Sequence, residues 1–179
     1  MTPPPHILIA GIGNIFLGDD GFGSEVAQRV MQRRLPDGVQ VIDFGIRGFD
    51  LAFALLDGVD VAIFIDAAPR GGAPGTLYLL EHEPEPAPHI ADPAHAPTID
   101  AHAMDPVKVL RLAASMGEIP RKILIVGCEP TPFDESDDMR VGLSDPVHSA
   151  IDRAVDTIES LVAELNDHPP ALTNVHSTV

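Results

Sequence analysis

The first apolar run of the chain constrains its fold more than any other feature. Residues His6 to Gly13 form a continuous apolar stretch that ends in glycines, and a second such stretch extends from Val59 to Asp66. Runs without alternating polar residues are typical of parallel strands that are buried on both faces of a sheet. A chain with two of them has to supply helices for both faces.

Helical patterns follow in the required alternation. After the first run, Val26, Ala27, Val30 and Met31 recur at helical spacing, with polar residues on the other side. Further helices are predicted at Leu51 to Leu56 and from Asp105-Pro106, and one long terminal helix from Ser144-Asp145-Pro146. Further strands are predicted at Val39 to Asp43, Gly75 to Glu81 and Ile119 to Gly127. This order predicts an α/β fold, a single-domain, open, twisted, mostly parallel β-sheet with helices on both faces and room for one antiparallel strand.

The extent of the domain follows from where the patterns stop. With 179 residues, 45% of them hydrophobic, the chain is large enough for one core. Residues 1–166 are predicted to form the domain, and residues 167–179 a flexible C-terminal tail. The stretch from Glu83 to Pro97 is rich in Pro, Ala and His without any period, which predicts a long extended loop.

Charge and cysteine content exclude several classes of function. A formal net charge of -16 repels the phosphates of nucleic acid and the headgroups of an anionic membrane. The single cysteine, Cys128, cannot form an internal disulfide, and no apolar run has the length of a membrane span. Met1 to Pro5 lack the pattern of a secretory leader. We therefore expect a cytoplasmic protein that binds neither nucleic acid nor membrane, and we take a monomer as the default state.

The loop after the first strand is unsuited to a nucleotide. Gly11 and Gly13 begin a pattern similar to the dinucleotide fingerprint, but Phe16 occupies the third glycine position and Asp19 and Asp20 follow. Two carboxylates would repel a pyrophosphate and attract a cation. The loop therefore indicates a metal cation rather than a nucleotide.

Four polar residues follow predicted strands at the edge where an open parallel sheet binds its ligands. Asp20 follows the first strand, Asp43 ends the second, Asp66 ends the third, and His102 precedes the helix that starts at Asp105. Two carboxylates and one imidazole can form a three-ligand site for a divalent metal such as nickel or zinc, with positions left open.

Structural roles are alternatives for each of these residues. Asp19 and Asp20 can cap the following helix, Asp66 can satisfy a turn backbone, and His102 can be a solvated side chain. A second metal cluster in the predicted loop is disfavoured by its irregular spacing; its members would be Glu81, His82, Glu83, Glu85, His89 and His95. A Cys128–His102 nucleophile competes with a buried, inert thiol.

The segment from Gly11 to Gly23, GIGNIFLGDDGFG, resembles the N-terminal signature of the nickel-iron hydrogenase maturation endopeptidases. The similarity covers most of the chain to about Leu143 and continues through Asp43 with Gly45 to Gly48, Ile65-Asp66-Ala67, Ala73-Pro74-Gly75-Thr76, and His102 with Met104-Asp105-Pro106. This chain departs from the pattern at Ile46, where the family commonly has Thr, and at Arg47. The resemblance implies a phosphorylase/hydrolase-like fold.

The resemblance also implies a substrate and a set of site residues. Asp20, Asp66 and His102 would bind nickel already installed in the large-subunit precursor of a nickel-iron hydrogenase, and the protein would remove the C-terminal extension of that precursor. The nickel belongs to the substrate, and no tightly bound metal of the protein's own is expected. Catalytic candidates are Asp20, Asp43 and Asp66, with a water held by metal or carboxylate as the attacking group.

Two other functions compete with this hydrolase. One is a nickel-checking binding module that docks on the precursor and cuts nothing. The other is a general metallopeptidase with its own zinc, which the absence of a two-His zinc motif disfavours.

Overall fold

In the part of the chain that the structure describes, the central sheet has five strands, of which four are parallel. The computed structural model describes residues 4–82, 105–132 and 141–169. The strands are β1 (Ile7–Ile12), β2 (Val39–Gly45), β3 (Val61–Ala67), β4 (Leu77–His82) and β5 (Lys122–Cys128), and their order across the sheet is β2-β1-β3-β5-β4. The edge strand β4 pairs with β5 in the antiparallel sense. The predicted mostly parallel sheet is confirmed.

Helices cover both faces of this sheet. A 3₁₀ turn (Gly18–Gly21) leads into α1 (Phe22–Val30); the other helices are α2 (Gly48–Leu55), α3 (Pro106–Met116), α4 (Asp145–His148) and α5 (Ile151–Asp167). The predicted start of α3 is confirmed, since the Asp105 side chain caps it by accepting the Val107 N–H at 2.9 Å. Among the residues that the structure describes, no helix combines the length and apolar character needed to cross a bilayer.

The alternation of strand side chains divides the core into two layers. Ile7 and Ile9 of β1 pack with α1 and α5 on one face, whereas Leu8 and Ala10 pack with α2 and α3 on the other. All six residues of β1 are buried, as the unbroken apolar run predicts. The face to which each later strand residue points therefore decides which helices it can contact.

Several predicted boundaries were wrong. β5 begins at Lys122 rather than Ile119, because Pro120 has no N–H for the strand ladder. β4 begins at Leu77, because Gly75 has a φ of +81° and donates its N–H to the Glu129 carbonyl instead.

The predicted long terminal helix divides into α4 and α5. At the division, the Ala150 N–H bonds to Val147 three residues back, and the four-residue pattern resumes with Ala154. α2 also begins earlier than predicted, at Gly48, and no side chain caps it. The predicted loop from Glu83 to Pro97 and residues 170–179 of the predicted tail lie outside the described residues.

The start of α1 lies unusually close to the sheet. A methyl group at Gly23 would overlap the carbonyl oxygens of Ile12 and Ile65, and one at Gly11 would overlap Ala27 and the Gly23 carbonyl. The first turn of α1 thus rests directly on the ends of β1 and β3. Only glycine fits at Gly11 and Gly23, because a Cβ atom would come too close to the neighbouring atoms.

We expect the Gly23→Ala substitution to destabilise the protein by about 2–3 kcal/mol, because α1 must move away from the strand ends to accommodate the methyl group. Gly117→Ala is the matched control, since its backbone is extended and the nearest atom is the flexible end of Leu56 at 3.2 Å. Chemical denaturation of both variants tests the close approach. Equal stability of the two variants would contradict it.

Candidate functional site

The loop between β1 and α1 brings Asp20 to the carboxyl edge of the sheet. Gly13, with a φ of +131°, allows the Asp20 backbone carbonyl to pack directly on it, where any Cβ would collide. The exposed Asp20 carboxylate accepts the Asn14 N–H at 2.7 Å. The turn therefore holds the Asp20 carboxylate back over the end of β1 and does not direct it into α1.

Asp66 lies at the carboxyl end of β3, one residue before the strand ends. It continues the alternation of Ala62 and Phe64 and therefore faces the layer of α2 and α3. Burial and then the charge of Asp20 raise the pKa of Asp66 from 3.8 to about 8, although a hydrogen bond from the Ala67 backbone lowers it. Asp66 is therefore mainly protonated at neutral pH, and the structure brings the predicted pair Asp20 and Asp66 together.

Asp105 is a third carboxylate at this position, and the sequence analysis assigned it only a capping role. Its negative charge also raises the pKa of Asp66. The carboxylate caps α3, and the described chain resumes at this residue, three positions after His102 in the sequence. His102 itself lies outside the described residues, so its role stays a prediction.

Asp43 occupies the opposite face of the sheet. Its carboxylate accepts hydrogen bonds from Ser24 at 2.7 Å, from Gln28 at 3.2 Å and from the Gly45 N–H at 3.0 Å. The first two donors belong to α1, and Asp43 continues the alternation of the β2 residues that pack in the α1 layer. The contacts of Asp43 fasten β2 to α1 and shape the glycine turn, and its predicted catalytic role stays a prediction.

Asp19 has partners far away in the sequence. Its carboxylate accepts the Thr131 N–H at 2.8 Å, the Ser144 N–H at 2.6 Å and the Ser144 hydroxyl at 2.9 Å. Burial opposes ionisation, but these hydrogen bonds outweigh it and lower the pKa of Asp19. The alternative that Asp19 and Asp20 cap a helix was wrong, because neither the 3₁₀ turn nor α1 has a side-chain cap.

Glu129 is a buried carboxylate that the sequence analysis did not select. It accepts hydrogen bonds from the Tyr78 hydroxyl at 2.7 Å, the Arg70 N–H at 2.8 Å and the Gly71 N–H at 3.0 Å. The Tyr78 bond in particular, against the effect of burial, lowers the pKa of Glu129. Glu129 therefore organises the loop that follows Asp66. Glu129 directly follows a buried strand, and the position at a strand end was also the criterion by which Asp43 and Asp66 were selected from the sequence. The same criterion could therefore have identified Glu129.

Cys128 is enclosed in the core. The side chain is buried in the α1 and α5 layer, and the thiol donates a hydrogen bond to the Glu129 carbonyl at 3.8 Å. Burial raises the pKa of Cys128 to about 11, so almost no thiolate forms near neutral pH. The structure favours an inert cysteine over a nucleophile.

An exposed apolar rim adjoins the carboxylates. We use this term for six large side chains between 45% and 65% exposed: Ile15, Phe16, Leu17, Ile46, Phe49 and Phe53. The first three lie in the β1–α1 loop and the others in the β2–α2 turn and on α2, and a Gly13–Gly45 backbone hydrogen bond of 3.0 Å joins the two segments. A rim of this kind is typical of a protein-binding surface.

Two carboxylates at one edge of the sheet suit a cation better than any anion. Neutralisation by a metal would remove the repulsion between Asp20 and Asp66 and would favour ionised Asp66. Within residues 4–82, 105–132 and 141–169, no group of three or more His, Cys, Asp or Glu side chains forms a complete metal site. A cation bound here would need ligands beyond the Asp20 and Asp66 carboxylates.

The raised pKa of Asp66 has a consequence for stability. Between pH 3.8 and about 8 the unfolded chain ionises Asp66 while the folded chain keeps it protonated, so this residue makes stability fall as pH rises through that window. We expect Asp66→Asn to raise the melting temperature at pH 8 and to leave it nearly unchanged at pH 4. Thermal unfolding across this range measures the difference.

Asp43→Asn serves as the control for this measurement. The Asp43 carboxylate accepts three hydrogen bonds, and an amide would place an NH2 group against some of these donors, so the melting temperature should fall. An Asp66→Asn variant that is less stable than the wild type at every pH would contradict the proposed protonation state.

Comparisons with known proteins find relatives that match most of this chain. The family model described as hydrogenase maturation protease matches residues 24–161. The chain is 34% identical over 161 residues to the hydrogenase expression/formation protein HoxM of Azotobacter vinelandii, covering 89% of this chain and 73% of that protein. It is 30% identical over 160 residues to the hydrogenase 2 maturation protease of Escherichia coli, covering 89% and 92% of the two chains.

A solved structure shares the fold. The hydrogenase maturating endopeptidase HybD from Escherichia coli superposes with a TM-score of 0.67 at 28% identity, covering 89% of this chain and 93% of that one. The family model spans most of the chain, and the relatives are similar over nearly the same length. The chain therefore belongs to the hydrogenase maturation protease family and is a peptidase.

Proposed function

We propose that this peptidase removes the C-terminal extension from the nickel-loaded large-subunit precursor of a nickel-iron hydrogenase. The observation that carries the proposal is the coupled pair Asp20 and Asp66 at the carboxyl edge of the sheet. The pair supplies anionic oxygen ligands but an incomplete shell, which suits a metal that arrives already held by a substrate. Nickel is thus part of the substrate.

His102 is the proposed third ligand. The resemblance assigns it the imidazole position, and the described chain resumes only three residues later, at Asp105 beside Asp66. An imidazole with two carboxylates is a suitable partial shell for nickel. Binding would then serve as inspection, because a precursor without nickel offers these residues nothing to bind.

The apolar rim supports a protein substrate rather than a short peptide. α2 is apolar on both sides: Leu51 and Leu55 pack on the sheet, whereas Phe49 and Phe53 are exposed. A surface helix normally presents polar residues to water, so this outer face is suited to cover by a partner. A folded precursor is large enough to contact the rim and to place its nickel at Asp20 and Asp66 together.

The proposed chemistry is hydrolysis without a covalent enzyme intermediate. One water adds to the scissile carbonyl, the C–N bond breaks, and the proton from water goes to the new amine. Once the precursor nickel neutralises the site, Asp66 becomes ionised and either it or Asp20 can hold the attacking water. Cys128 is too deeply buried to act as the nucleophile.

We expect the pure protein to shorten the precursor only when the precursor contains nickel. Intact mass measured before and after incubation, with and without nickel in the precursor, gives the result directly. Cleavage of both forms would contradict the requirement for nickel and would favour a general metallopeptidase. Binding of the nickel-loaded form without cleavage would favour the checking module instead.

Site variants connect this activity to the proposed residues. Asp66→Asn and His102→Ala should each reduce the rate of cleavage by about a hundredfold or more, because the nickel and the scissile peptide lose their position. Asp60→Asn is the control, because Asp60 lies at the amino end of β3, at the other end of the strand from Asp66. Its carboxylate accepts the His6 N–H at 2.8 Å. Normal cleavage by His102→Ala would remove His102 from the site.

The apolar rim has a separate kinetic consequence. Phe16→Ser should raise KM for the precursor about fivefold with little change in kcat, because about 1 kcal/mol of apolar contact is lost in ground state and transition state alike. Met31→Ser, at an exposed position just after α1, is the control. An unchanged KM for Phe16→Ser would place the precursor elsewhere on the surface.

A further inference from the structure

Asp19 holds together parts of the chain that are remote in sequence. Its carboxylate is half-buried and accepts three hydrogen bonds, from the Thr131 N–H and from the N–H and hydroxyl of Ser144. The Thr131 hydroxyl also donates to the Ser144 hydroxyl at 2.8 Å. The result is a compact polar bridge between the loop after β1, the loop after β5 and the start of α4.

The order of the strands gives this bridge its position. β3 lies between β1 and β5 in the sheet, so a link from the loop after β1 to the loop after β5 passes across the carboxyl end of β3. Asp66 is at that end, and the 3₁₀ turn that carries Asp19 and Asp20 contacts β3 directly. The bridge therefore spans the strand end at which the two site carboxylates meet.

The Asp20 side chain has few attachments of its own at this end of the sheet. The 3₁₀ turn has no side-chain cap, and the Asp20 side chain itself makes one described hydrogen bond, to the Asn14 N–H. The three hydrogen bonds at the preceding residue, Asp19, join this turn to Thr131 and Ser144.

We propose that Asp19 is a positioning residue that holds Asp20 at its working distance from Asp66. Asp19 itself contacts neither substrate nor metal in this scheme; it acts through the peptide bond that it shares with Asp20. The inference rests on the proposed function, because it assigns a role within the same site. From the sequence, Asp19 was expected either to cap a helix or, with Asp20, to attract a cation; the positioning role differs from both.

Asp19→Asn tests the proposal with little change in size. The amide keeps one acceptor oxygen but turns an NH2 group toward the donors of Thr131 or Ser144, so the bridge loosens. We expect kcat for cleavage of the nickel-loaded precursor to fall about tenfold or more, with KM changed less than about twofold. Ser144→Ala removes the hydroxyl that donates to Asp19 and accepts from Thr131, and it should lower kcat by about threefold.

A matched control distinguishes a positioning role of Asp19 from a purely structural one. Ile158→Ala removes buried side-chain volume from α5, far from the bridge, and lowers stability without touching the site. All variants are assayed at a temperature at which each is fully folded. A loss of kcat in Asp19→Asn but not in Ile158→Ala supports positioning, whereas equal rates in both would overturn it.

A second readout does not depend on cleavage. Titration of each protein with Ni²⁺ alone, followed by calorimetry, should show weak binding by the wild type and about tenfold weaker binding by Asp19→Asn. If the wild type binds Ni²⁺ but cleaves no precursor, the proposed function fails and the affinity of Asp19→Asn still decides the positioning role. A wild type that neither binds nor cleaves would overturn both, and Asp19→Asn with wild-type affinity and kcat would overturn the positioning role alone.

Discussion

The close packing of α1 on the ends of β1 and β3 is the contact on which the rest of this site depends. Gly11 and Gly23 let the helix start rest against the backbone of Ile12 and Ile65, with no side chain between them. The loop from Asn14 to Gly21 then passes over the carboxyl edge of the sheet, where its 3₁₀ turn contacts β3. Asp20 consequently reaches the end of the neighbouring strand, where Asp66 lies.

The acidic residues at this edge differ in role because their surroundings differ. Asp19 and Glu129 each accept several hydrogen bonds, which lower the pKa of both groups. These bonds hold the neighbouring loops in place. Asp66 is enclosed beside two further carboxylates and its pKa is raised. A buried acid whose charged form is destabilised is an available cation ligand, whereas one already surrounded by donors is not. Local stability and function are thus divided among neighbouring carboxylates.

Much of the fold could be predicted because the evidence for it is periodic and local. The unbroken apolar run of β1, the helical spacing in α1 and the Asp105-Pro106 start of α3 each depend on residues within a few positions of one another. The errors occurred where a local pattern met a backbone constraint, as at Pro120. The division between α4 and α5 arises from a change in backbone hydrogen bonding, which apolar spacing does not report.

The sequence by itself determined the parallel sheet, its two helical layers and the edge at which Asp20 and Asp66 lie, because strand ends and apolar periods are properties of short segments. Only the tertiary structure decided that Asp43 faces the other layer, that Asp105 joins the site and that Asp19 bonds to residues 112 and 125 positions away. The physical reason is that a carboxylate side chain is chemically the same whether it caps a helix, joins two loops or binds a cation. Its role depends on the donors and charges that folding places around it, and these come from distant parts of the chain.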